Sequence, residues 1–131
     1  HEVEGVQLLG SSDWNDPELI AIGREHVTGA VVSTRFFAGS RFAIVRDFVA
    51  DYRESFGSEP DEFSASAFDA LNIVLTQAAL GYDSRTEVRD GIQRIYGFPG
   101  VSGVTSILPD GNARKRPFLL EVTRRRFLGL D

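Results

Sequence analysis

The residues best equipped for chemistry stand together near the start of the chain, in Ser11-Ser12-Asp13-Trp14-Asn15. Two hydroxyls, a carboxylate and an indole fall within five positions, and Asp13 with the nearby Asp16 would attract an ammonium group. Elsewhere the means of catalysis are thin. There are two histidines, His1 and His26, and no cysteine, so a thiolate nucleophile, a disulfide and a thiolate metal site are all excluded. Neither a G-x-S-x-G turn nor a phosphate-binding P-loop occurs. Asp13-x-Asn15 has the look of a calcium loop, but Glu18 stands where the loop needs glycine. Asp61 and Glu62 are adjacent and point in different directions on a helix. Gly97, Gly100 and Gly103 recur every three residues, which is not the dinucleotide spacing. The expectation is a protein that is not an enzyme and carries no cofactor or metal.

The elements around the polar loop decide how it is read. Val3–Leu9 reads as a strand and Gly29–Thr34, rich in β-branched residues, as a second. Between them Asp16-Pro17-Glu18 is a helix start, with Asp16 as N-cap and Pro17 in the first turn. Strand, loop, helix and strand make a parallel βαβ unit, with Ser11–Asn15 at the carboxyl end of its first strand, where ligands bind in α/β sheets. The other reading is ordinary capping by Asp16 beside a surface tryptophan.

Arg41–Phe56 is an amphipathic helix with Phe42, Val45, Phe48, Val49, Tyr52 and Phe56 on its apolar face. Ser84 with Glu87 has the capping-box pattern and opens a short helix that Gly97 ends. Val104–Thr123 reads as a pair of strands around the turn Pro109-Asp110-Gly111-Asn112, and Phe127–Leu130 as a last short strand. The longest apolar stretch, Phe63–Leu80, is expected to be the central buried helix. Phe63, Ala67, Phe68, Leu71, Val74 and Leu75 form its inward face, and Ser66, Asp69, Asn72 and Thr76 its polar stripe.

A 131-residue chain with net charge -5 is one domain or part of one, and its charge disfavours nucleic acid or anionic lipid as the main partner. Arg114, Lys115 and Arg116, with Arg124, Arg125 and Arg126, form the one lopsided charge feature and read as two solvated turns. No apolar run is long enough for a membrane span, and no signal-peptide pattern opens the chain. Methionine is absent, so His1 reads as the edge of a processed or excised piece.

One family resemblance covers essentially the whole chain. It rests on Leu8–Leu19 followed by Val27–Val32, on Phe48-Val49-Ala50-Asp51-Tyr52 and Phe56–Asp61, and on Ala67-Phe68-Asp69-Ala70. Phe98–Gly103 and Leu108-Pro109-Asp110-Gly111 complete it. This ordered series resembles the C-terminal portion of the leucine/isoleucine/valine-binding proteins, type I periplasmic solute-binding proteins. The resemblance implies an α/β fold of two lobes, each a doubly wound sandwich, with a small-molecule ligand in the cleft between them. It divides the chain into a second-lobe βαβ part (residues 1–34), a helical first-lobe part (35–103) and returning strands (104–131). Ser12 then matches a second-lobe cleft position that often meets the ligand's amino group, with Asp13 beside it, and Trp14 adds an aromatic wall. Family members with a carboxylate at that position clamp α-amino acids. Phe68 matches an aromatic position near the cleft on the first lobe. The resemblance implies a periplasmic or cell-envelope location and a role with a membrane permease in ABC transport. A related branch acts instead as envelope regulators through a protein partner, penicillin-binding protein activators among them. Because most cleft contacts would lie upstream, this chain alone is expected to be incompetent for its ligand and to form a homodimer.

Overall fold

The computed structural model describes residues 5–130. Val3, in the first expected strand, lies outside them, and the observed strand is short: β1, Leu9–Gly10. A single 3-10 turn, Ser12–Trp14, leads to α1, Pro17–Gly23, where the Asp16 side chain accepts the Glu18 N–H as the sequence predicts. A further turn then reaches β2, Val31–Thr34. β1 and β2 run parallel, Leu9 opposite Val31, so the βαβ unit is present.

After β2 come α2 (Ala43–Phe56), α3 (Glu62–Ala79), α4 (Arg85–Gln93), β3 (Thr105–Ile107), β4 (Ala113–Lys115), β5 (Phe118–Val122) and β6 (Phe127–Gly129). The strands form a four-stranded sheet in the order β1-β2-β5-β6 and a separate β3-β4 hairpin. The sequence reading of Val104–Thr123 as one pair of strands is therefore corrected. β3 turns back onto β4, while β5 crosses over and pairs antiparallel with β2, Thr34 opposite Phe118. β5 alternates buried and exposed residues because one face of the sheet is covered and the other open.

The cover comes from α2. Val45, Phe48 and Val49 join Ala30, Val32, Phe118, Leu120 and Val122 in one core. So α2 packs on the sheet, and Ala65 of α3 and Val101 of the loop after α4 join the same core, which ties the helical part 35–103 to the four-stranded sheet. Gly57 ends α2 in the left-handed region, at φ 67, a conformation glycine adopts without a Cβ clash.

The largest departure concerns α3. Its buried residues are Ala65, Asp69, Ile73 and Gln77, four apart along one line of the helix. The expected apolar face is turned outward: Phe63 is 73% exposed, Leu71 59% and Leu75 52%. The reason is what lies on each side. Toward the buried line stand α4, whose Gly91 leaves no room for a Cβ beside Gln77, and the glycine-rich loop after it, whose Gly100 abuts the Asp69 carboxylate. Opposite it, the described residues supply no sheet for the broad apolar face to cover.

Asp69 is thus a core residue rather than part of a solvated stripe. It is 2% exposed. Its carboxylate accepts the N–H of Val101 at 2.7 Å and of Ser102 at 2.9 Å, together with the Ser102 hydroxyl. Lys115 Nζ lies 3.4 Å away and also donates to Ser102 Oγ. The chain's only lysine is turned inward from β4, which corrects the reading of 114–116 as a solvated turn, while Arg124, Arg125 and Arg126 do form an exposed turn. The basic cluster divides between β4 and the β5-β6 turn.

Candidate ligand-binding site

The Ser11–Asn15 segment is held by its own backbone. The Trp14 N–H donates to Ser11 O at 3.0 Å and the Asn15 N–H to Ser12 O at 2.9 Å. Trp14 lies over Gly10, where a Cβ would collide with the indole, and its half-buried ring reaches the core. That contact, not exposure as a wall, fixes the ring. Asp13 is exposed, with the Ser11 hydroxyl 3.4 Å from its carboxylate, and Asp16 is occupied as the cap of α1.

Asn15 joins this turn to the end of β2. Its side-chain amide donates to Phe36 O at 3.2 Å and lies 3.4 Å from Thr34 Oγ1, and the buried Thr34 hydroxyl donates to Phe36 O at 3.1 Å. The carboxyl ends of two neighbouring parallel strands therefore share one polar junction. Sequence reasoning placed Asn15 in the polar loop but missed its link to Thr34 and Phe36, because no local signal tied it to residues about twenty positions on.

From Phe36 an aromatic series leads toward α3. The Phe36 ring meets Phe48 edge-on, with centroids 5.9 Å apart, and Phe48 meets Phe68 at 4.8 Å. Such pairs contribute about 0.5–1.5 kcal/mol each beyond their buried area. Arg35 reaches Glu62 at 3.0 Å, and Ser64 donates to the Tyr52 hydroxyl at 3.3 Å, so polar contacts flank the stack. The structure thus brings Ser12, Asp13 and Trp14 into one turn and sets Phe68 beyond Phe36 and Phe48 rather than against that turn. Grooves lie elsewhere: one of about 690 Å³ between α1 and β6, one of about 520 Å³ along α4. Neither is lined by the four expected residues.

Among the described residues no group of three histidine or acidic side chains is placed to hold a metal. Ser102 beside Lys115 and Asp69 has a nucleophile's components, but Ser102 is fully buried and its hydroxyl anchors a loop.

A family model described as periplasmic binding protein matches residues 2–126. The chain belongs to the periplasmic binding protein family. Solved structures agree with that membership. A protein of Rhodospirillum rubrum, provisionally described as a branched-chain amino acid ABC transporter, is 27% identical with a TM-score of 0.90 over 97% of this chain. The leucine binding protein LivK of Thermotoga maritima is 26% identical, with a TM-score of 0.67 over 97%. LivJ of Streptococcus pneumoniae, solved with isoleucine, shares the fold at 23% identity, with a TM-score of 0.66 over 94% of this chain. No curated protein matches. This periplasmic binding protein chain spans 38% of the first neighbour's length and 37% of each of the other two. It has the α/β architecture of part of the two-lobed fold, and the likeness to the leucine-binding proteins seen in the sequence holds.

Proposed function

We propose that this chain belongs to a non-enzymatic, extracytoplasmic receptor for a small polar metabolite of the amino-acid class, which delivers its ligand to an ABC-transport permease. The observation that carries the reading is the position of the Ser12–Trp14 turn, at the carboxyl ends of β1 and β2 and stapled there by Asn15, in a chain of this family. Ser12 offers a neutral hydroxyl where relatives that clamp α-amino acids carry a carboxylate, and Asp13 supplies the negative charge beside it. Phe68 provides an apolar surface from α3. A ligand held between two lobes needs both, so the competent species is the longer protein.

Thermal denaturation of the full-length protein against amino acids and related metabolites tests this. A ligand at one hundred times its Kd stabilises the native state by about 2.7 kcal/mol. The shift is expected to disappear in Ser12→Ala and Asp13→Ala variants whose unliganded melting points are unchanged. A shift that survives both substitutions would move the site away from this turn. No shift with any metabolite, together with specific capture of an envelope protein, would favour the regulator branch.

A further inference from the structure

Three features meet at the β6 edge of the four-stranded sheet. The first is an open edge. β6 pairs only with β5 among the described residues. The Thr123 N–H donates to Arg126 O and the Leu130 N–H to Leu119 O. Antiparallel pairing alternates, so Leu128 bonds across to Glu121, while the peptide groups of Phe127 and Gly129 face outward. β5 shows the complementary half of the pattern: Val122, opposite Phe127, exchanges its bonds with Gly29 and Ala30 on the other side.

The second feature is the groove of about 690 Å³ along that edge. Its floor is apolar, with Ile20 and Ala21 from α1, Phe37, and Phe127 from β6. Gly129 keeps the floor open, since its Cβ position lies 3.6 Å from the Phe37 ring and a larger side chain would fill the channel. The third is charge. Arg125 and Arg126 line the same groove, no acidic side chain does, and neither arginine makes an ion pair among the described residues. In a chain of net charge -5 this local excess stands against the overall field.

We propose that β6 is a docking edge for an extended segment of a partner protein, apolar in its middle and acidic at one end. The segment adds antiparallel to β6 and pairs its backbone with Phe127 and Gly129. Alternate side chains enter the groove over Phe37 and Ile20. Its acidic end, lying where β6 begins, meets Arg125 and Arg126. Backbone pairing supplies affinity, and the groove and arginines supply selectivity. Nucleic acid and lipid also favour arginine, but neither offers a backbone to pair with the outward groups of β6.

Fluorescence anisotropy with a labelled peptide, Val-Thr-Leu-Thr-Glu-Glu, tests the proposal at physiological salt. Saturable binding is expected. It should weaken by about tenfold or more when lysines replace the two glutamates, and likewise in the Arg125→Glu/Arg126→Glu variant. N-methylation of alternate peptide nitrogens should abolish it, and Gly129→Val should weaken it by filling the channel. Circular dichroism would establish that both variants fold. If a variant does not fold, the N-methylated and lysine peptides decide the matter on the unaltered chain. Equal binding of parent and N-methylated peptides would overturn the strand-pairing claim, and equal binding of the lysine peptide would overturn the charge claim. Absence of peptide binding, or capture by phosphatidylglycerol vesicles without peptide binding, would overturn the proposal as a whole.

Discussion

Replacing Asp69 by alanine is the most informative single perturbation of this fold. The carboxylate satisfies two backbone N–H groups of the loop after α4, at 2.7 and 2.9 Å, as well as the buried Ser102 hydroxyl and Lys115. Each buried donor left without an acceptor costs about 1–3 kcal/mol. The loop can admit water and Lys115 can turn outward, so these costs do not simply add. Breaking a buried charge pair by removing one partner costs about 3–5 kcal/mol, and that range is the expectation here. Urea unfolding followed by circular dichroism reads it. With a slope of about 1–3 kcal/mol per molar, the midpoint should fall by roughly 2 M. Asp69→Asn should cost less, because its amide keeps one acceptor while its NH2 faces donors. Lys115→Met, at a side chain 22% exposed, should cost less again. The double variant Asp69→Ala/Lys115→Met should lose less than the sum of the singles, by about 1–2 kcal/mol, because the two groups touch. A loss below about 1 kcal/mol for Asp69→Ala would refute the view that this carboxylate holds the loop to α3.

Two further outcomes follow from the ends and faces of α3. Asp61 caps the helix, and the Ser64 hydroxyl, then the Ser64 N–H, hold its carboxyl below the usual range. Asp61→Ala should cost about 1 kcal/mol near neutrality, as lost caps do. A depressed folded-state pKa adds stability that is present above the unfolded value of about 3.9 and is lost as pH falls through the folded value. The gap between Asp61→Ala and the unaltered chain should therefore close in acid, which urea titrations at a series of pH values would show. The exposed Phe63, Leu71 and Leu75 face should make the isolated chain a dimer at micromolar concentration by light scattering, and Leu71→Glu/Leu75→Glu should return it to a monomer. A monomeric unaltered chain would remove that claim.

What the sequence disclosed was what neighbours in sequence decide. Asp16-Pro17-Glu18 set the start of α1, and Ser84 with Glu87 set that of α4, because a cap and its N–H partners lie within one turn. The polar turn was legible for the same reason, through the order strand, turn, helix. The inward side of α3 was not. Side-chain polarity ranked Asp69 as outward, but burial depends on what waits across the interface. For Asp69 the donors Val101, Ser102 and Lys115 are more than thirty positions away. Nor did the β-propensity of Phe118–Val122 say which strand it would join. β5 passes over the adjacent β4 for β2, where Phe118, Leu120 and Val122 can enter the core under α2. The site shared this limit: Ser12–Trp14 could be read, and the Asn15 link to Phe36 could not.

The pairing of β2 with β5 also sets a timetable. Phe118 lies opposite Thr34, and everything between them must leave the ribosome before the sheet can close. At about 5–20 residues per second that interval is roughly 4–17 s, during which Val32 and the inner face of α2 lack the cover of Phe118, Leu120 and Val122. Helices and hairpins form within microseconds, so synthesis rather than their formation sets the wait for β5. The sheet closes only when β5 reaches β2. Lengthening a flexible loop between α2 and β5 would scarcely change the equilibrium, because doubling a loop costs only about 0.6 kcal/mol. It would prolong the half-open interval instead, so the limit on insertions between α2 and β5 is one of rate, set by how long an unfinished sheet stays soluble.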